Sequence, residues 1–268
     1  MTHPPDYHIH TRFSCDSETP MAAACEAAIG HGIQEIAFTD HVDFEPLDEC
    51  HEYLRPGAYM AEIERCRRRY GHTLTIRAGV EIGEGHTYRD QVRSFLEAHD
   101  FDFVLGSIHW VGNRPTWTGD YFNGQSLEEG LDSYFREVAR LAAEADCDVL
   151  AHFDIVRRAV YKAFDLKTPD YTPYEHTIRR ALRTLVERGK GLEINTSPRR
   201  RGMGHPNPTL QVLHAYREVG GEVLTIGSDA HTADSVGACF DEALDIARAA
   251  GFTRLATFEK REIHWMSI

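Results

Sequence analysis

The chain predicts an α/β fold in which a parallel β-barrel is wrapped by helices. The first observation behind this is that short β-rich runs alternate with segments of helical periodicity along the whole length. Alternating β and α units build a parallel sheet with helices on its outer face. The second is their number: seven or eight such units in 268 residues favour a closed barrel over an open sheet, and barrels of this kind reach about 250 residues as one domain. The third is that residues able to ligate metals recur where strands end, the face on which a parallel barrel gathers its functional groups. Residues 1–268 are therefore expected to form a single domain.

In chain order the expected strands are Tyr7–His10, Glu35–Asp40, Leu74–Glu81, Phe103–His109, Val149–His152, Leu192–Asn195 and Val223–Ser228, with a weaker run at Leu255–Phe258. Helical periodicity marks Met21–His31, Ala58–Tyr70, Tyr88–Ala98, Leu127–Ala145, Tyr174–Glu187, Leu210–Glu218 and Asp241–Ala249. Thr19–Pro20 and Ser126 supply helix-start chemistry, and Gly30, Gly71 and Gly189–Gly191 supply stops. Two polar loops, Val42–Pro56 and Val111–Gln125, follow strand ends and would overhang the barrel mouth.

Composition excludes several classes of function. The apolar fraction is 42%, enough for a substantial core, and the formal net charge is −13. That charge argues against a non-specific grip on long nucleic acid or an anionic membrane. No run approaches the ~20 apolar residues a membrane span needs, and Met1–Asp6 has neither a basic region nor a following apolar run. A cytoplasmic location is expected. The six cysteines, Cys15, Cys25, Cys50, Cys66, Cys147 and Cys239, form no CxxC pair. Their dispersal predicts buried or half-buried free thiols rather than a disulfide framework. Nothing in the sequence sets the oligomeric state.

The chemistry lies in one repeated placement. His8 and His10 flank Ile9 in a strand, where residues two apart point to the same side. Asp16 follows that strand; His41, Glu81, His109 and His152 each end a further apolar run; Asp229 and His231 follow another. A single strand-end Asp often caps a helix, and a single His often bonds a carbonyl. Independent structural roles would not put one of these residue types at nearly every strand end. Imidazole and carboxylate without thiolate suit Zn, Mn or Fe, and so many imidazoles exclude a Ca or Mg cage. Nine side chains are too many for one ion, so two or three divalent ions bridged by a carboxylate are expected. Such clusters activate water and clamp a phosphoryl oxygen. No dinucleotide or phosphate loop and no serine nucleophile elbow is present. Arg157-Arg158 and Arg199-Arg200-Arg201 are candidates for phosphate capture, since guanidinium matches phosphate bidentately.

These motifs, with Thr39-Asp40-His41, Gly79-Val80-Glu81, Ser107-Ile108-His109, Ala151-His152-Phe153-Asp154 and Gly227-Ser228-Asp229-Ala230-His231 in that order, resemble the PHP (polymerase and histidinol phosphatase) superfamily. The likeness runs from Tyr7 to about Gly237. It is strongest to the monofunctional histidinol-phosphatase branch, which shares the length and Glu-Ile-Asn-Thr before a basic loop. The resemblance implies a distorted (β/α)7 barrel with a trinuclear site at the C-terminal ends of the strands. His8, His10, Glu81 and Asp229 would hold one ion. Glu81 would bridge to a second, completed by His109 and His152. Asp16, His41 and His231 would hold the third. Arg157 and Arg199 or Arg200 would bind substrate phosphate, although Ser197-Pro198-Arg199 departs from the glycine-containing segment of the family.

The expected activity is hydrolysis of a small phosphomonoester, foremost L-histidinol phosphate to L-histidinol and phosphate. A metal-bound hydroxide would attack phosphorus, with Glu81, Asp16 and His231 the nearest protein groups; the acid that protonates the leaving alkoxide is unassigned. Asp43, Glu45 and Asp48 are candidates to receive the substrate's ammonium and imidazole. Rival readings are another small ester, phosphotyrosine, oligonucleotide ends, or a non-catalytic metal-bound module. The complete ligand set argues against the last.

Overall fold

A computed structural model describes residues 3–268. Its strands are β1 (Asp6–Ile9), β2 (Glu35–Phe38), β3 (His41–Val42), β4 (Thr75–Gly83), β5 (Phe103–Ser107), β6 (Trp110–Val111), β7 (Arg114–Pro115), β8 (Val149–Leu150), β9 (Gly191–Asn195), β10 (Leu224–Gly227), β11 (Arg254–Glu259) and β12 (Glu262–Ser267). Its helices are α1 (Met21–Gly30), α2 (Pro56–Tyr70), α3 (Arg89–Glu97), α4 (Leu127–Glu144), α5 (Val156–Phe164), α6 (Glu175–Glu187), α7 (Ser197–Arg200), α8 (Leu210–Glu218) and α9 (Phe240–Ala249).

The main sheet runs β1-β2-β4-β5-β8-β9-β10 with every pair parallel, and β3 adds to the distal half of β4. The ring closes between first and last strands through two hydrogen bonds, His10 N to Ala230 O at 2.8 Å and Ala230 N to His8 O at 3.3 Å. The result is a distorted barrel of seven strands. Among the described residues no helix is long and apolar enough to cross a membrane.

The weak run near residue 255 is not an eighth barrel strand. β11 pairs antiparallel with β12, which the sequence reading missed. This hairpin closes the N-terminal end of the barrel. Lys260 N donates to Asp102 and Arg261 grips Asp148, the residues that precede β5 and β8. Above it, Tyr7, Phe103, Leu105, Val149, Ala256 and Phe258 form an apolar plug. Phe103 and Leu105 share a face of β5 with Ser107, whose hydroxyl reaches Glu81. The barrel interior therefore changes from apolar to polar along its axis, and its wet end is the C-terminal one.

Two helices beyond those expected appear, α5 and the short α7; both follow strand ends and carry the two arginine groups. Ser126 caps α4 reciprocally with Glu129, the sequence signature of a capping box.

Candidate metal centre

Residues from six strand ends and one loop converge at this end. Glu81, near the end of β4, lies at the centre with 1% exposure. Its Oε2 is 3.2 Å from His8 Nε2, 3.4 Å from His10 Nε2 and 3.3 Å from His41 Nδ1. Its Oε1 is 2.8 Å from His152 Nε2 and 3.3 Å from His109 Nε2. The two oxygens thus face two different sets of imidazoles, which is the geometry of a bridging carboxylate. Asp229 Oδ1 lies 3.5 Å from His10 Nε2 and 3.4 Å from His231 Nδ1. Asp16 Oδ2 lies 2.8 Å from His231 Nε2 and 3.7 Å from His41 Nε2.

The backbone bends to achieve this. His152 has φ 30° and Asp229 has φ 52°, left-handed values that are costly for residues other than glycine and that turn each side chain just past its strand. Gly227 is required beside them, because a Cβ there would collide with Glu193 Oε1 and His8 Cβ.

The electrostatics match a cation site. Burial alone would push the Glu81 carboxyl up, but His8, His41 and His109 outweigh it and hold the group well below the usual carboxylate range. Burial likewise opposes charge on Asp229, and His8, His10 and His231 keep it ionised. Burial and the neighbouring His231 and His41 push His10 down to about 3, so its ring offers a lone pair rather than a charge. Among the described residues no Lys or Arg side chain pairs with the carboxylates of Asp16, Glu81 or Asp229. Donor atoms of His8, Glu81 and His152, of His8, His10 and Asp229, of His41, Glu81 and His109, and of His10, Asp16, His41 and His231 lie close enough within each group to hold an ion. The donor set is buried around Glu81 and opens to the surface at Asp16 and His231; it is mixed N/O and free of thiolate, which fits divalent zinc, manganese or iron.

Groups that sequence reasoning passed over orient these donors. Glu193 Oε1 takes His8 Nδ1 at 2.7 Å and its Oε2 accepts from His152 N at 2.8 Å. Ser14 Oγ meets His10 Nδ1 at 3.1 Å and donates to Asp40, which Thr11 also grips. Glu84 accepts from the backbone N–H of His109 and Trp110. The signal for Glu193 was a carboxylate inside an apolar strand, two residues before Asn195.

A cleft of about 360 Å³ opens above the cluster. Both loops singled out in the sequence border it, the first through Asp48, Glu49 and Cys50, the second through Trp117. The candidate arginines fall in different places. Arg157 is fully buried, and its Nη1 donates to Pro206 O at 2.9 Å and Asn207 Oδ1 at 2.8 Å. Arg199 pairs with Glu242, and Arg200 donates to the carbonyls of Ser228 and Asp229. It is Arg158 and Arg201 that line the cleft. In the acidic loop, Asp43 is 2% exposed and Glu45 accepts from Tyr88, so of the three candidates Asp48 alone reaches the cleft, joined by Glu49.

The PHP domain pattern matches residues 6–197. The chain belongs to the PHP family. The histidinol-phosphatase of Lactococcus lactis subsp. lactis is 30% identical over 96% of this chain and 95% of its own length. A crystal structure of histidinol phosphate phosphatase from that organism, complexed with zinc, L-histidinol and phosphate, superposes with a TM-score of 0.86 at 27% identity, covering 98% of this chain and 99% of the other.

This PHP chain departs from one further expectation. Cys15 and Cys50 form a disulfide, with Cα atoms 5.1 Å apart. It joins the loop that carries Asp16 to the loop that carries Asp48. Cys25, Cys66 and Cys147 are buried free thiols, as expected, and Cys239 is exposed. The pairing was illegible because the cysteines are 35 residues apart and meet only once both loops fold over the same barrel mouth.

Proposed function

We propose that this chain is a metal-dependent histidinol-phosphatase, hydrolysing L-histidinol phosphate to L-histidinol and phosphate, with 1–268 acting as one cytoplasmic domain. The observation that carries this reading is the split of the Glu81 carboxylate between two sets of imidazoles directly beneath a cleft bordered by two arginines. The relative of known structure holds zinc, L-histidinol and phosphate, so zinc is the first candidate, with manganese and iron next, and two or three ions are the expected number. His8, His10, Glu81 and Asp229 would hold one, Glu81, His109 and His152 a second, and Asp16, His41 and His231 a third. When bound, such ions lower the pKa of a coordinated water and neutralise charge on phosphoryl oxygens.

The chain's own residues supply the rest. Arg158 and Arg201 replace Arg157, Arg199 and Arg200 as the phosphate-binding pair. Burial, with Arg201 nearby, brings the Arg158 guanidinium down to about 10, which leaves it cationic at neutral pH and poorly neutralised. An incoming phosphate dianion relieves that like-charge contact and accepts paired N–H donors. Asp48 and Glu49 line the same cleft, and their carboxylates would hold an ammonium and an imidazole of the alcohol. Glu81, Asp16 and His231 would be the protein groups nearest the reacting phosphorus, and Asp16 and His231 are the most exposed of the ligand groups.

The test is phosphate release by zinc- or manganese-loaded protein from a panel of monoesters and diesters that includes L-histidinol phosphate, with Glu81→Gln as control. Selective hydrolysis of L-histidinol phosphate that disappears in the control supports the reading. Equal or faster turnover of other esters overturns the substrate, and no turnover of any ester overturns the enzyme.

A further inference from the structure

Asp43 follows β3 by one residue and points inward with its side chain 1% exposed. Its Oδ2 is 3.5 Å from His41 Nδ1 and its Oδ1 is 3.5 Å from His109 Nδ1. Neither oxygen has a closer hydrogen-bond partner, and no Lys or Arg among the described residues approaches it. A buried carboxylate without compensation is expensive, so a role is needed to explain it. The chain also makes room for it: at Gly83 a Cβ would collide with Asp43 Oδ1.

We propose that Asp43 is a positioning residue that fixes two metal-ligand imidazoles, His41 and His109, which serve two different ions, through one shared carboxylate. His109 turns Nε2 to Glu81 and His41 turns Nε2 to Asp16. An imidazole that ligates through Nε2 carries its proton on Nδ1 and needs an acceptor there, which sets both tautomer and ring orientation. Asp43 offers one oxygen to each ring. His41 Nδ1 also lies 3.3 Å from Glu81 Oε2, but that oxygen faces His8 and His10 as well, whereas Asp43 has nothing else to serve. Glu193 does the same for His8. Only a carboxylate accepts from two N–H groups on separate oxygens; in Asn the amide nitrogen would oppose one of them.

The inference rests on the metal-centre reading and is independent of which ester is hydrolysed. The test uses the full chain, prepared metal-free, with zinc as the probe. For Asp43→Asn, competition against a chromophoric chelator is expected to show zinc affinity lowered roughly 10–100-fold at more than one equivalent. The melting temperature of the metal-free protein should stay unchanged, so that the rise produced by zinc shrinks. Imidazole nitrogen spectra of the zinc-loaded variant should show displaced Nδ1 signals for two histidines. Unaltered zinc affinity, or an equal loss of stability with and without zinc, overturns the proposal. If the variant does not fold, the zinc-loaded wild type decides: His41 and His109 must both be Nδ1–H tautomers, and finding either as Nε2–H overturns it. A wild type that binds no zinc removes the metal-centre reading itself, and this inference with it.

Discussion

Arg157 and Arg158 are adjacent in the chain and divide two tasks between them: Arg157 is sealed inside, bonded to Pro206 O and Asn207 Oδ1, while Arg158 borders the cleft. Arg157→Ala should therefore act on stability. It strips charge-assisted hydrogen bonds from a buried segment and should cost about 3 kcal/mol, visible as a lowered urea midpoint. Arg158→Ala should leave that midpoint nearly unchanged and lower kcat/KM for the phosphoester roughly 100-fold. If Arg157 were the phosphate ligand the two results would exchange.

Arg201 offers a related separation. It borders the cleft while its neighbours Arg199 and Arg200 are engaged by Glu242 and by backbone carbonyls. Arg201→Ala should raise KM and lower kcat/KM, whereas Arg199→Ala should leave both within about twofold, as expected for a surface ion pair. Steady-state kinetics on the same ester distinguishes them, and equal losses at both positions would argue for a general electrostatic field instead.

The acidic wall of the cleft should discriminate by the alcohol, not by the phosphate. Asp48→Asn combined with Glu49→Gln is expected to raise KM for an ester carrying an ammonium group by roughly three- to tenfold. KM for a neutral alkyl or aryl phosphate should not change. A parallel rise for both kinds of ester would show that these carboxylates shape the loop and do not contact the alcohol.

How much of this was legible depended on what the residue pattern encodes. Barrel strands and strand-end ligand candidates could be read because the alternation of β and α segments and the C-terminal convergence of a parallel barrel are properties of sequence order. The arginines could not, because α5 and α7 were not anticipated and helix phase decides facing; on α5 a shift of one residue exchanges the interior, at Arg157, for the cleft, at Arg158. The roles of Glu193 and Asp43 were illegible for a different reason. Glu193 meets His8 and Asp43 meets His109 across long stretches of chain, and no local pattern names such a partner. The strand β12 escaped because its exposed Glu262–Ser267 run has no helix after it and no place in the α/β alternation.

The cysteines give a chemical check on the barrel mouth. Cys239 is the exposed free thiol, while Cys25, Cys66 and Cys147 are buried and burial pushes the Cys147 thiol up to about 11. Unreduced native protein should show one rapidly reacting thiol. Unfolding without reductant should expose four, and reduction should bring the total to six. Six thiols before reduction would mean that Cys15 and Cys50 are unpaired and that the loops bearing Asp16 and Asp48 are not tied together.

Glu137 provides a pH test away from the metal-ligand cluster. On α4 its carboxylate takes His86 Nε2 at 2.6 Å and Arg140 at 2.9 Å. Burial raises its pKa, but His86 and Arg140 outweigh that and leave it below its ordinary 4.5. A carboxyl with a depressed folded value binds its proton more readily when unfolded, so its stabilisation is present above about 4.5 and is lost as pH falls through the folded value. Glu137→Gln cannot ionise. The wild type should melt about 2–4 °C above the variant at pH 7, and the gap should narrow toward pH 3. Both proteins are to be metal-free, so that titration of the cluster is common to both and cancels in the difference. A gap that stays constant across this range would assign the effect to packing of the Glu137 side chain and remove the ionic contribution.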